Sequence, residues 1–452
     1  MLTISRQNHA TKCNGATRRD FLQVGTFGLG GLALGDLLRA QASAASAPAA
    51  SSALRNNKSV ILFWLDGGPT HFETYDPKPE APAEYRGPFG TIETSASGIR
   101  LSEMLVEQAK VMDKVSVLRS VHHNNGDHFA AAHWMLTGYH GSNAAARDPK
   151  FPGVGAIVNR LAGANQPNVP AYVSVPYSRT VGIKPGYNSA TWLGAQYNPF
   201  EVDSDPSRDN FEVKNINMPG DMTVERIDHR RNLLSSLDRI RRDIDKRGLM
   251  EGIDEFNAEA IEMVTGDAAR EAFDIAAESD AMRDRYGRNT HGQSALLARR
   301  LVESGVKFVT VHNGGWDMHS TIDTSIKRRM PETDRAIGVL IQDLAERGML
   351  DDVMVCVMGE FGRTPRVNAN AGRDHWGNVM SVLLGGGGLR GGQAVGSSND
   401  KGEHPVDTPL MPADVLATIY RVLGIDLEAK FLNHAGRPTG INNYGQPIEA
   451  LL

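Results

Sequence analysis

Short, continuous apolar runs recur along this chain, at Ser59 to Leu65, Val115 to Leu118, Ala171 to Val175, Val306 to Val311, Val353 to Val357 and Met380 to Leu384. A strand with one wet face alternates apolar and polar residues; most of these runs do not, so they need cover on both faces. They predict a buried, mostly parallel sheet. Helical periodicity lies between them at Gly292 to Ser304, Pro331 to Arg347 and Pro412 to Leu423, the last two opening on a proline suited to a first helical turn. Strands alternating with helices give the α/β class in layers. Thr223 to Arg285 is different: charged, helical in period and without a strand, it reads as a solvated helical insertion. Gly385 to Gly388 lacks the Gly-Lys-Ser/Thr ending of a phosphate-binding loop and reads as a turn.

The first residues follow another pattern. Lys12, Arg18 and Arg19 are positive, Phe21 to Leu38 is apolar but broken by Gly25, Gly28, Gly30, Gly31 and Gly35, and Ala42-Ser43-Ala44 or Ala45-Ser46-Ala47 offers small-residue cleavage. Thr17-Arg18-Arg19-Asp20-Phe21-Leu22 resembles a twin-arginine signal, which implies delivery by the twin-arginine export machinery to the periplasm or the exterior. Asp36 and the glycines make the segment a weak membrane span; a retained anchor is the alternative to cleavage. The expected organisation is a signal over 1–44, an Ala/Ser/Pro linker over 45–57 and one α/β domain over 58–452, with the insertion at about 223–285. No later apolar stretch reaches the roughly 18 residues of a span, so the mature form is expected to carry no stable membrane segment. Of the two cysteines, Cys13 falls in the signal and Cys356 in an apolar strand, which leaves the mature chain no internal disulfide. A net charge of -5 without a basic, aromatic-studded cluster argues against nucleic acid as partner.

Ligands of open α/β sheets bind where the strands end, so the residues after each run carry the functional information. Ser59 to Leu65 leads into Asp66-Gly67-Gly68-Pro69-Thr70-His71, Val306 to Val311 into His312-Asn313-Gly314-Gly315-Trp316-Asp317-Met318-His319, and Val353 to Met358 into Gly359-Glu360-Phe361-Gly362-Arg363-Thr364. His122-His123-Asn124-Asn125-Gly126-Asp127-His128, with His133, follows the short run at Leu118, and Arg373-Asp374-His375-Trp376 follows the Glu360 loop. Carboxylates and imidazoles without thiolate suit zinc, manganese, calcium or a similar divalent ion. Asp66, Asp317, His319, Glu360 and His375 are the candidate ligands, and His128 is a candidate ligand, base or nucleophile. For His71, His122, His123, His133, His312 and His404, supporting and structural roles compete with ligation. Arg363 suits an anion clamp or a salt bridge inside the site. Thr70 is a second candidate nucleophile, or a cap.

At these motifs the chain resembles the DUF1501 family, twin-arginine-exported bacterial proteins that are themselves similar to the alkaline phosphatase and sulfatase superfamily. The residues that carry it are Asp66 to His71, Leu136-Thr137-Gly138, Gly315 to His319, Gly359 to Pro365 and Gly436-Arg437-Pro438. The resemblance implies a three-layer, alkaline-phosphatase-like sandwich in which Asp66, Asp317, His319, Glu360 and His375 hold one or two divalent ions. It also implies a substrate that is an anionic ester, a sulfated or phosphorylated small molecule or glycan. Three departures stand against ordinary sulfatase chemistry. His128 occupies the place of the Cys or Ser nucleophile and cannot become formylglycine, the Asp-x-His spacing at 317 and 319 is short, and Glu360-Phe361 replaces Asp-His. The expected function is a metal-dependent hydrolase of phosphate or sulfate esters outside the cytoplasm; the alternative is a non-catalytic, metal-containing binding protein of the same fold.

Overall fold

A computed structural model describes residues 56–213 and 267–452. The signal, all of the linker but its last two residues, and residues 223–266 of the insertion lie outside the described residues.

Each apolar run forms a strand of one eight-stranded sheet. These are β1 (Ser59–Asp66), β2 (Val115–Val121), β3 (Tyr172–Val175), β5 (Phe308–Gly314), β6 (Val353–Met358) and β7 (Met380–Gly385). Two short strands, β4 (Phe200–Glu201) and β8 (Gln393–Val395), complete it and are too brief to show a period in sequence. The order is β8-β2-β7-β6-β1-β5-β3-β4. Every neighbouring pair is parallel except those made by β7, which runs against β2 and β6.

Successive side chains of a strand point to opposite faces, and here both faces are covered. Ile61, Phe63 and Leu65 of β1 enter one core with Leu296, Leu297 and Leu301 of α3 (Thr290–Glu303) and Ile326, Ile337 and Leu340 of α4 (Ile322–Glu346). Val60, Leu62 and Trp64 enter the other with Met135 of α1 (His128–Thr137), Ile157 of α2 (Val154–Ala162) and Leu416 of α5 (Pro412–Val422). The same division holds in β6, where Val353, Val355 and Val357 face one core and Met354, Cys356 and Met358 the other. Each fully buried side chain of this size is worth roughly 1.5–3 kcal/mol, and the sum holds the three layers together.

Pro412 opens α5 as expected, and Asp414 accepts a hydrogen bond from Met411 N at 2.7 Å. The expected start of α4 at Pro331 is corrected: the helix begins at Ile322 and carries Pro331 inside it. Ile322, Ile326 and Met330 recur every fourth residue before the proline and are buried. Their packing outweighs the cost of about 3 kcal/mol that an interior proline carries. Within the insertion the described part forms helices at Asp267–Phe273 and Asp280–Tyr286. Cys356 is a buried free thiol, and among the described residues no helix is long and apolar enough to cross a membrane.

Two histidines serve the core. His71 is buried against Phe72 with Nε2 3.0 Å from Gly402 O, and His133 is buried in α1 with Nδ1 2.8 Å from Tyr139 O. Burial pushes both rings down to about 4. An unfolded histidine binds its proton near pH 6.5, so between that pH and 4 the unfolded chain takes up protons that the folded chain refuses. Stability is therefore full above about pH 6.5 and falls as the pH drops. Urea titrations at pH 7 and pH 5 are expected to differ by about 2 kcal/mol for each of these rings. His71→Gln is expected to reduce that pH dependence.

Strand direction gathers the functional loops. β1, β2, β5 and β6 are parallel and so deliver Asp66, the His122–His128 segment, Asp317 and Glu360 to one edge. Because β7 runs the other way, its first residue lies at that same edge, and His375, just before it, joins them.

Candidate metal centre

Asp317 owes its place to two loops that touch backbone to backbone. Gly67 has φ +115°, and a Cβ there would stand 2.5 Å from Asp317 N, so only glycine fits the crossing. Trp316 N donates to Asp66 O at 3.1 Å across it, and the Trp316 ring is buried. His375 returns to the centre through a two-stranded ribbon that pairs Gly362–Arg363 with His375–Trp376. His319 packs against Gly372, where any side chain would collide with its carbonyl group. His128 is the first residue of α1, whose N-cap is Asp127: Oδ1 accepts from Ala130 N at 3.0 Å.

These side chains converge. His375 Nε2 lies 3.1 Å from Asp317 Oδ1 and 2.9 Å from His319 Nε2, which is itself 2.9 Å from Asp317 Oδ1. His128 Nε2 stands 3.3 Å from Asp317 Oδ2. His128, Asp317 and His375 can each place a ligand atom within 4.8 Å of the others. The side chains of Asp317 and His319 are both 44% exposed, so the cluster opens to solvent.

The other nitrogen of each ring explains the convergence. His128 Nδ1 meets Glu360 Oε1 at 2.7 Å, His319 Nδ1 meets Asp374 Oδ1 at 2.8 Å, and His375 Nδ1 meets Gly126 O at 2.8 Å. Each Nδ1 faces an oxygen, and a neutral ring that donates its proton there keeps its Nε2 lone pair directed at the cluster. Two Nε2 atoms 2.9 Å apart cannot both carry protons: either one donates to the other or a shared cation takes both lone pairs. Histidines backed by carboxylates or carbonyls are the usual setting of metal-bound imidazoles, so the residues present fit a divalent ion. Burial opposes charge on Asp317, but hydrogen bonds from His128, His375 and Arg363 prevail and hold its carboxyl well below the usual range. Burial also opposes charge on His128, yet hydrogen bonds to Asp317 and Glu360 raise it to about 9.

The remaining candidates occupy other positions. Glu360 is fully buried; it accepts Gly67 N at 2.9 Å as well as the His128 proton, and so stands behind His128. Burial pushes its carboxyl upward. Asp66 turns to a neighbouring cluster, accepting from Trp64 Nε1 at 2.9 Å and Val181 N at 2.8 Å and facing His312 Nε2 at 3.3 Å. Arg363, expected to clamp an anion, is fully buried and spends its donors on Gly68 O, Gly67 O, Arg373 O and Asp317 Oδ1, the last at 2.6 Å. It orders the loops and Asp317. Thr70 is buried and donates to Glu73 at 2.5 Å. His123 Nε2 meets Glu360 O at 2.7 Å, His122 Nδ1 lies 3.4 Å from Ser120 O, and His404 is exposed.

Sequence reasoning assigned no role to Asp374, Asp127 or Glu73. Asp374 adjoins His375 in the chain, and that adjacency was its only signal. Glu73 binds the guanidinium of Arg373 at 2.8 Å, both side chains being buried, and nothing in the pattern around residue 73 marks a partner 300 residues away.

Sheet, layers and cluster together define a three-layer α/β protein with a candidate histidine and carboxylate metal centre at the strand ends. The chain belongs to the family described as "Protein of unknown function (DUF1501)", whose sequence model matches residues 57–452. Among curated proteins no sequence matches. Solved structures similar to it include the PsFucS1 sulfatase from Pseudoalteromonas sp., with 12% identity, TM-score 0.39, and 86% of this chain and 72% of that one covered. The phosphonate monoester hydrolase SpPMH from Silicibacter pomeroyi gives 12%, 0.38, and 87% and 76%. The lipoteichoic acid synthase LtaP from Listeria monocytogenes gives 10%, 0.33, and 83% and 74%.

Proposed function

We propose that this protein is an exported, metal-dependent hydrolase of phosphate or sulfate esters. The observation that supports it most is the convergence of His319 Nε2, His375 Nε2 and the Asp317 carboxylate, with every Nδ1 anchored behind them. Asp317, His319 and His375 would hold a divalent ion, with His128 as a further ligand or as the group that moves a proton at Nε2. A bound divalent ion would supply Lewis acidity toward an ester oxygen. Glu360 orients His128, Asp374 orients His319, and Arg363 holds Asp317 in place. The exposed side of Asp317 and His319 leaves an approach for substrate, as a catalytic rather than a closed structural site requires.

One observation favours the non-catalytic alternative. His128, where a nucleophile would be sought, is tied at both nitrogens, to Glu360 and to Asp317. The two readings separate on turnover. Metal-loaded protein offered aryl phosphate, phosphonate and sulfate esters is expected to hydrolyse one class, and His128→Ala to lower kcat by about 100-fold or more. Metal-loaded protein inert to all of them would favour the binding protein.

A further inference from the structure

The arginines buried in this fold have carboxylates. Arg299 pairs with Glu278, Glu303 and Asp343, Arg363 with Asp317, and Arg373 with Glu73. Arg329, on α4, is the exception. It is half-buried, and among the described residues no hydrogen bond or ion pair reaches its guanidinium; its nearest acidic influence is Glu332, one turn further along the helix and exposed. Desolvating a guanidinium without an anion is unfavourable, so such a group points to a missing partner.

Its seat lies beside the metal centre. Gly315 has φ +90°, and any side chain there would collide with Arg329 Nη2, so the guanidinium rests on bare backbone. A residue spans at most about 3.6 Å, which keeps Gly315 Cα within about 7 Å of Asp317 Cα. His291 lies close enough to Arg329 and to His312 for their charges to interact, and the His312 ring lies against Gly314, the residue before Gly315. Of the acids nearby, Asp66 is engaged by Trp64 Nε1, Val181 N and His312, and Asp205 by Ser207 and Thr290, rather than by Arg329.

We propose that Arg329, seated on Gly315 beside His291 and His312, is an anion-binding subsite that reads a second negatively charged group on the substrate. An arginine fork accepts sulfate, phosphate or carboxylate through paired N–H bonds. The substrate class is then a polyanion, with the reacting ester at Asp317 and His375 and a second anion over Gly315. The identity of the ligand as a substrate rests on the hydrolase reading; the subsite itself does not.

The test therefore removes the metal centre. Inorganic sulfate, inorganic phosphate and acetate are titrated calorimetrically into the Asp317→Asn protein, with and without Arg329→Gln or Arg329→Lys. Asp317→Asn is expected to bind at least one anion, Arg329→Gln to weaken that binding about 10-fold or more, and Arg329→Lys to retain most of it; the three titrants show which group is preferred. Equal affinity with and without Arg329→Gln would overturn the subsite, and so would absence of anion binding to folded Asp317→Asn protein. Loss of the hydrolase reading, seen as a wild type without metal or turnover, would leave these titrations unaffected.

Discussion

Asp317→Asn is expected to keep the fold and to lose the divalent ion proposed for this centre. The carboxylate touches His128, His319 and His375 within 3.3 Å and supplies the only formal negative charge among those side chains. Its neutral amide counterpart is a far weaker ligand for a hard or borderline cation. Loss of an outer-sphere partner typically weakens metal binding by 10–100-fold, so loss of this inner group is expected to exceed about 100-fold. The fold should survive because an asparagine Oδ1 still accepts from Arg363 Nη2, now at 2.6 Å from Asp317. Asp317→Ala removes that acceptor as well and is expected to be less stable than Asp317→Asn. Competition with a chromophoric chelator measures the affinity, and urea unfolding the stability. An Asp317→Asn protein that holds metal as tightly as the wild type would exclude Asp317 as a ligand.

Arg373→Ala is the most destabilising single change expected here. The guanidinium is fully buried and donates to Glu73 at 2.8 Å, to Tyr85 O at 2.7 Å and to Thr364 O at 3.0 Å, while it stacks over Phe72 at 4.1 Å. Removing one member of a buried ion pair leaves the other charge unpaired, at a cost of about 3–5 kcal/mol. The loss is also local to the site, because Asp374 and His375 follow directly. Urea unfolding should show the destabilisation, and metal affinity should fall with it. Glu73→Gln combined with Arg373→Met strands no charge and is expected to unfold at higher urea than Arg373→Ala alone. If the double variant is the less stable of the two, the pair is not what sets the cost.

The long strands were legible because each is apolar on both faces, a pattern that only a sheet covered twice can use. Ser59 to Leu65 and Val353 to Val357 were placed almost to the residue on this ground. β4 and β8 were not, since strands of two or three residues carry no period. Pro331 suggests a false start for α4, because the preference of proline for a first helical turn yields to the packing of Ile326 and Met330. In the site, strand ends point to Asp66, Asp317, His319, Glu360 and His375 together, and the reversed direction of β7 is what brings His375 back to them. What sequence could not supply was the division of labour. That Glu360 backs His128, that Arg363 is sealed inside the loops, and that Asp66 turns toward His312 all depend on contacts between residues tens to hundreds of positions apart.

The most direct test is the metal content of the purified wild-type protein by elemental mass spectrometry, beside an Asp317→Ala, His319→Ala double variant. A stoichiometric divalent ion in the wild type that is lost from the variant is the expected result. A wild type that binds no ion after reconstitution with zinc, manganese or calcium would contradict the metal centre, and with it the hydrolase built upon it.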